Sequence, residues 1–99
     1  MKVPFPAEPH HGNIDWDEKD NERNRRKYGI AFEDIQSGFA KPHVRLELNG
    51  PEDFMSLIEV QGIVFEARCR FDLHLIIFAV DVATHDAKTT FYKTLSQSD

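Results

Sequence analysis

Ninety-nine residues make one domain, near the lower end of the size at which a single apolar core suffices. A hydrophobic content of 40% with eight Phe is that of a folded chain and excludes a disordered one. The formal charge of −5 excludes the broad basic field of a non-specific nucleic-acid binder while leaving room for a local basic patch, and the single cysteine, Cys69, excludes an intrachain disulfide. No apolar run approaches the ~18 residues of a membrane span, and Met1 to Pro6 has no long apolar stretch after Lys2, unlike a secretory signal. The expected location is therefore the cytoplasm, with no membrane partner.

Residues 1–12 carry three prolines and the pair His10-His11 without periodicity, which predicts an extended N-terminal arm ahead of one α+β domain over 13–99. A helix follows from about Trp16. Asp15 or Asp17 can cap it, Asp17, Glu18 and Asp20 suit its positive end, and Arg23, Arg25, Arg26 and Lys27 suit its negative end. Gly29 stands where a left-handed residue stops a helix. The helix is strongly polar, so Trp16 and Tyr28 are expected to dock it by a narrow edge. A short second helix is predicted over 32–39, ended near Gly38 and Pro42.

From Val44 the period becomes two. Val44, Leu46 and Leu48 alternate with Arg45 and Glu47, and Asn49-Gly50-Pro51 marks a turn. Phe54 to Val60 is a second strand, broken at Gly62. Ile63 to Phe71 is a third, with Phe65, Ala67 and Cys69 on one face and Glu66, Arg68 and Arg70 on the other. His74 to Asp81 is apolar on both faces, the pattern of a central strand. A closing helix starts near Thr84, with Ala87, Phe91 and Leu95 on one side. The order is α-α-β-β-β-β-α, so the expected architecture is α+β, with two N-terminal helices, a four-stranded mostly antiparallel sheet and a C-terminal helix.

Trp16-Asp17-Glu18, Asn24, Arg26-Lys27-Tyr28-Gly29-Ile30 and Phe32-Glu33-Asp34 together resemble the N-terminal signature of BrnT-type toxins. Ala83-Thr84 followed by Phe91-Tyr92 is similar to that family's closing helix. The resemblance implies a fold like that of RelE-type ribonucleases and a place in a type II toxin–antitoxin pair. It also implies a BrnA-like antitoxin as partner, and metal-free RNA cleavage with no cofactor. Such cleavage needs cationic donors for the charge that builds on phosphorus, together with acid and base groups. On that basis the candidate site residues are Arg26, Lys27, Tyr28, Arg68, Arg70 and His85.

This chain departs from the family's pattern at several positions. Tyr28 replaces the family's His before the turn glycine, Asp20 falls where the first helix has Lys, and Ala79 and Asp81 replace a Ser and an Arg of the last strand. His85-Asp86-Ala87-Lys88 stands in place of a basic run. Each lost charge-assisted hydrogen bond is worth roughly 1.5–3 kcal/mol, so the expected function is that of a ribonuclease or of its catalytically attenuated descendant.

The same residues have plainer readings. Arg23, Arg25, Arg26 and Lys27 form a solvated helix end, Trp16 and Tyr28 are anchors, His74 and His85 are surface histidines, and Cys69 is a small core residue. His10 and His11 lack a partner at metal-ligand spacing. The alternative function is a non-catalytic inhibitor that binds a host protein, such as a phage anti-defence (anti-CRISPR) protein. Net acidity lets such a protein occupy a site meant for nucleic acid.

Overall fold

The computed structural model describes residues 3–97, so residues 1–2 of the predicted arm and 98–99 of the predicted domain lie outside the described residues. Its elements in chain order are strands β1 (Phe5–Ala7) and β2 (Ile14–Trp16), helices α1 (Glu18–Tyr28) and α2 (Phe32–Phe39), strands β3 (His43–Glu47), β4 (Asp53–Val60), β5 (Ile63–Asp72) and β6 (His74–Val82), and helix α3 (His85–Ser96). One six-stranded sheet runs in the order β1-β3-β4-β5-β6-β2. The pairings are antiparallel except for β2 on β6, which is parallel with Ile14 opposite Leu75 and Trp16 opposite Ile77.

This corrects the expected four-stranded sheet headed by two helices. The sheet has six strands and is mixed, and two strands precede the first helix. The missed strands have three residues each, too short to display a period of two. β1 also holds Pro6, which cannot donate to a ladder and is accommodated because β1 is an edge strand. The predicted arm is thus extended but engaged along Phe5–Ala7, paired antiparallel to β3, and the His10 amide donates to the Phe39 carbonyl at 2.7 Å. β2 leads directly into α1, whose N-cap is Asp17.

Helices cover both faces of the sheet. On one face α1 and α2 close a core built from Phe32, Ile35, Phe39, Phe54, Ile58, Phe65, Leu75 and Ile77. α2 approaches closely: a Cβ on Gly38 would meet Val60 Cγ2 at 3.0 Å and the Glu59 carbonyl at 3.2 Å. On the other face α3 sets Phe91 against Val44, Leu57 and Val64. Between β4 and β5, Gln61 (φ 54°) and Gly62 (φ 83°) form a two-residue turn with the positive φ angles that a right-twisted hairpin requires.

α1 follows its sequence signals. Asp17 is the N-cap and its carboxylate accepts from the Lys19 amide at 2.8 Å; Gly29, at φ 71°, ends the helix and donates to the Arg25 carbonyl at 2.8 Å. Trp16 packs edge-on to Phe32, with ring centroids 6.0 Å apart, and donates its indole N–H to Glu18. The helix's buried residues, however, are Asn21 and Asn24. Asn21 accepts from the Phe32 amide at 2.8 Å and donates to Glu33 at 2.9 Å, while Asn24 donates to the Ile30 carbonyl at 2.7 Å. The first free N–H of α2 is therefore satisfied from α1, since its own N-cap, Ala31, offers no side-chain oxygen. No helix among the described residues is long and apolar enough to cross a membrane.

Asn21→Ala leaves the buried Phe32 N–H without its acceptor. The expected loss is about 1–3 kcal/mol of unfolding free energy, read as a lower urea midpoint at unchanged slope. An unchanged midpoint would show that the α1–α2 corner is held by packing alone.

Candidate functional site

The six sequence-predicted residues fall into three groups. Arg26, Lys27 and Tyr28 occupy the last turn of α1, Arg68 and Arg70 lie on β5, and His85 is the first residue of α3.

At the α1 group, Asp81 gathers two of the three side chains. Tyr28 donates its hydroxyl to the Asp81 carboxylate, and Lys27 Nζ lies 3.5 Å from the same oxygen and 5.1 Å from the centre of the Tyr28 ring. The Tyr28 hydroxyl first, and then Asp81, hold the Lys27 ammonium above its ordinary pKa. Lys27 is therefore a fixed cation at neutral pH, unsuited to act as a base. Arg26 makes no ion pair or hydrogen bond among the described residues. Between α1 and β6 lies a cleft of about 150 Å³, lined among others by Asp20, Arg23, Tyr28 and Asp81. It is smaller than the roughly 300 Å³ at which small-molecule sites begin, and Arg23 is already paired with Asp20.

The β5 group is different because of a bulge. The β5–β6 register runs Arg68 to Ala79 and then Cys69 to Ile77, which leaves Phe78 as the extra residue. Leu75, Ile77 and Val80 are buried, whereas Ile76 and Phe78 are half-buried and Ala79 is exposed. β6 is apolar on both faces, as its sequence suggests, but helices cover it on only one. On the open side the guanidinium carbons of Arg68 and Arg70 lie 5.6 and 5.9 Å from the Phe78 ring centre, within reach of cation–π attraction. Arg68 also makes a two-pronged bond to Asp53, 3.2 Å on each arm. Arg70 is exposed and makes no ion pair within 4 Å among the described residues.

His85 stands apart from both groups in its bonding. It follows Thr84, whose hydroxyl accepts from the Ala87 amide at 3.1 Å and whose own N–H donates to Glu66 at 2.9 Å. His85 itself makes no hydrogen bond or ion pair among the described residues. The six residues therefore form no single constellation. Cys69 is buried, its thiol pushed up to about 12 chiefly by burial, which removes it as a nucleophile. Among the described residues no cluster of three or more His, Cys, Asp or Glu side chains has the geometry to hold a metal ion.

Asp53 and Phe78 are the members of this candidate cluster that the sequence pattern did not single out. Asp53 was legible in principle, because a two-residue turn at Gln61-Gly62 sets Asp53 opposite Arg70. Phe78 was not, since strict alternation would aim it elsewhere and the bulge leaves no mark in the sequence. No family model, curated protein or solved structure matches the chain.

Hydrogen bonds from Arg68, then from Asn49, hold the Asp53 carboxyl below the ordinary carboxylate range. A group depressed on folding lends stability above its unfolded value, near pH ~4, and loses it as pH falls through the lower folded value. The urea midpoint of the wild type should therefore exceed that of Asp53→Asn by a constant margin at neutral pH. The two should converge below about pH 4. A margin that persists into stronger acid would show that Asp53 acts through packing.

Proposed function

We propose that the protein is a BrnT-like toxin-family protein in catalytically attenuated form. It takes single-stranded RNA on the open β5–β6 face without cutting it, and it is partnered by a BrnA-like antitoxin in the cytoplasm. The observation that carries this proposal is the pair of guanidiniums flanking Phe78 on the part of the sheet face, at β6, that α3 leaves uncovered. An aromatic face offers a base a stacking partner of ~1–3 kcal/mol, and neighbouring cations hold the phosphates. Attenuation is supported by the dispersal of the candidate residues, with Tyr28 and Lys27 committed to Asp81 and Arg68 committed to Asp53. Kinship rests on residues 16–34. There Trp16, Asn24, Gly29 and Phe32 are accounted for by the α1–α2 corner, so the signature speaks for ancestry and not for catalysis.

A protein-binding inhibitor, such as a phage anti-defence protein, is the second possibility. It is favoured by the same neutralised cations together with the net charge of −5. The docked β1 weakens it, because Phe5–Ala7 is committed to the sheet and is not free to add contacts to a partner.

Fluorescence anisotropy with a labelled U-rich single-stranded RNA tests the proposal. The wild type should bind and leave the RNA intact. Phe78→Ala and Arg70→Ala should each weaken binding by about tenfold, within the ~1–3 kcal/mol of a stacked base. Arg70→Ala should also lower the salt slope by about 0.7. Asp53→Asn, which frees Arg68, should tighten binding. Cleavage of the RNA would overturn attenuation. Failure of the wild type to bind at physiological salt, with recovery of a stoichiometric defence complex on pull-down, would turn the assignment to the inhibitor.

A further inference from the structure

The β5–β6 hairpin ends in a tip that contributes little to the fold. Asp72 and His74 face each other across the turn, leaving Leu73 as its single central residue, at φ 63° and 90% exposed. A bulky residue in the left-handed region is strained, and glycine or asparagine would relieve that strain. Full exposure of the side chain adds a second cost, because its apolar surface stays in water. Phe71 next to it is 45% exposed, although its amide is fixed by the Glu52 carbonyl at 2.8 Å, which ties the tip to the Pro51-Glu52 turn. Strained, exposed apolar residues are retained where something outside the fold uses them.

The charges around the tip suggest what that is. Arg70 is exposed without an ion pair, and the carboxylates of Glu52 and Asp72 are exposed without a cation partner, among the described residues. One small surface therefore carries an apolar centre and charges of both signs that make no ion pair among the described residues. That is the composition of a self-complementary patch, in which a two-fold axis sets Leu73 against Leu73 and brings Arg70 of each copy to the acids of the other. We infer that the Phe71–Leu73 tip is a docking surface for a second copy of this chain. A contact confined to one hairpin end and one turn falls below the ~1,200 Å² of a standard interface, so association is weak and concentration-dependent.

Sedimentation equilibrium of the full chain from about 5 µM to 1 mM covers the range in which such small interfaces form. The wild type should rise from the monomer mass toward twice that value. Leu73→Asn should stay monomeric with a melting temperature no lower than wild type, since it relieves the strained φ and removes no packing. It also leaves the Arg68–Phe78–Arg70 cluster intact, so RNA binding is unchanged and the two proposals fail separately. Arg70→Glu alone and Glu52→Arg/Asp72→Arg alone should stay monomeric, while their equimolar mixture should associate, because both cross-axis pairs are restored. Three results would each overturn the inference: a wild type that remains monomeric to 1 mM, a Leu73→Asn variant that associates like wild type or melts several degrees lower, or a charge-swapped mixture that remains monomeric. Binding of Leu73 to a different protein, with the chain itself monomeric, falls under the first of these.

Discussion

The fold depends on β6 being paired along both of its edges. Its neighbour on one side, β5, is an ordinary antiparallel partner, but on the other side three residues from the start of the chain, Ile14 to Trp16, lie parallel to Leu75–Ile77. That short pairing decides where α1 begins, because Asp17, the N-cap, follows Trp16 directly. It also decides which face α1 and α2 cover, since Trp16 leaves the strand packed on Phe32. Beyond Ile77 the ladder with β2 stops and α1 takes over the flank of β6, where Tyr28 and Lys27 reach Asp81. The bulge at Phe78 lies just past this point.

Much of this architecture was written in local chemistry. Asp17 and Gly29 bound α1 because a short carboxylate and a side-chain-free residue satisfy opposite ends of a helix. Gln61 and Gly62 separate two long alternating strands, and Thr84 caps α3. What local chemistry left out is non-local. Phe5–Ala7 and Ile14–Trp16 become strands because β3 and β6 offer them edges, and nothing within three residues announces such an edge. The two buried asparagines belong to the same class. On a helix read by hydropathy they look like solvent-facing residues, yet Asn21 and Asn24 satisfy the backbone of the neighbouring corner.

The candidate site was legible as a residue list but not as an arrangement. Arg68 and Arg70 were placed on the correct strand face by alternation alone. Their consequence depends on Phe78, which a one-residue bulge brings to them, and on Asp53, which restrains one arginine and leaves the other exposed. Tyr28 and Lys27, two of the candidate residues, meet Asp81 and so are engaged within the fold. The last turn of α1 is thereby clasped to β6 through a single carboxylate.

The two outermost strands have a further consequence, for the behaviour of the chain in a crowded solution. β4, β5 and β6, the long and strongly β-forming strands, all lie inside the sheet, and each margin is closed by a strand of only three residues. One margin carries a proline and the other leads directly into a helix. Neither offers the long, flat row of free amides and carbonyls from which edge-to-edge aggregates grow. The proline-bearing segment at the start of the chain therefore acts as a selvedge. Clipping it would bare the β3 edge along His43, Val44 and Arg45, and turn a bounded sheet into a template for fibrous growth.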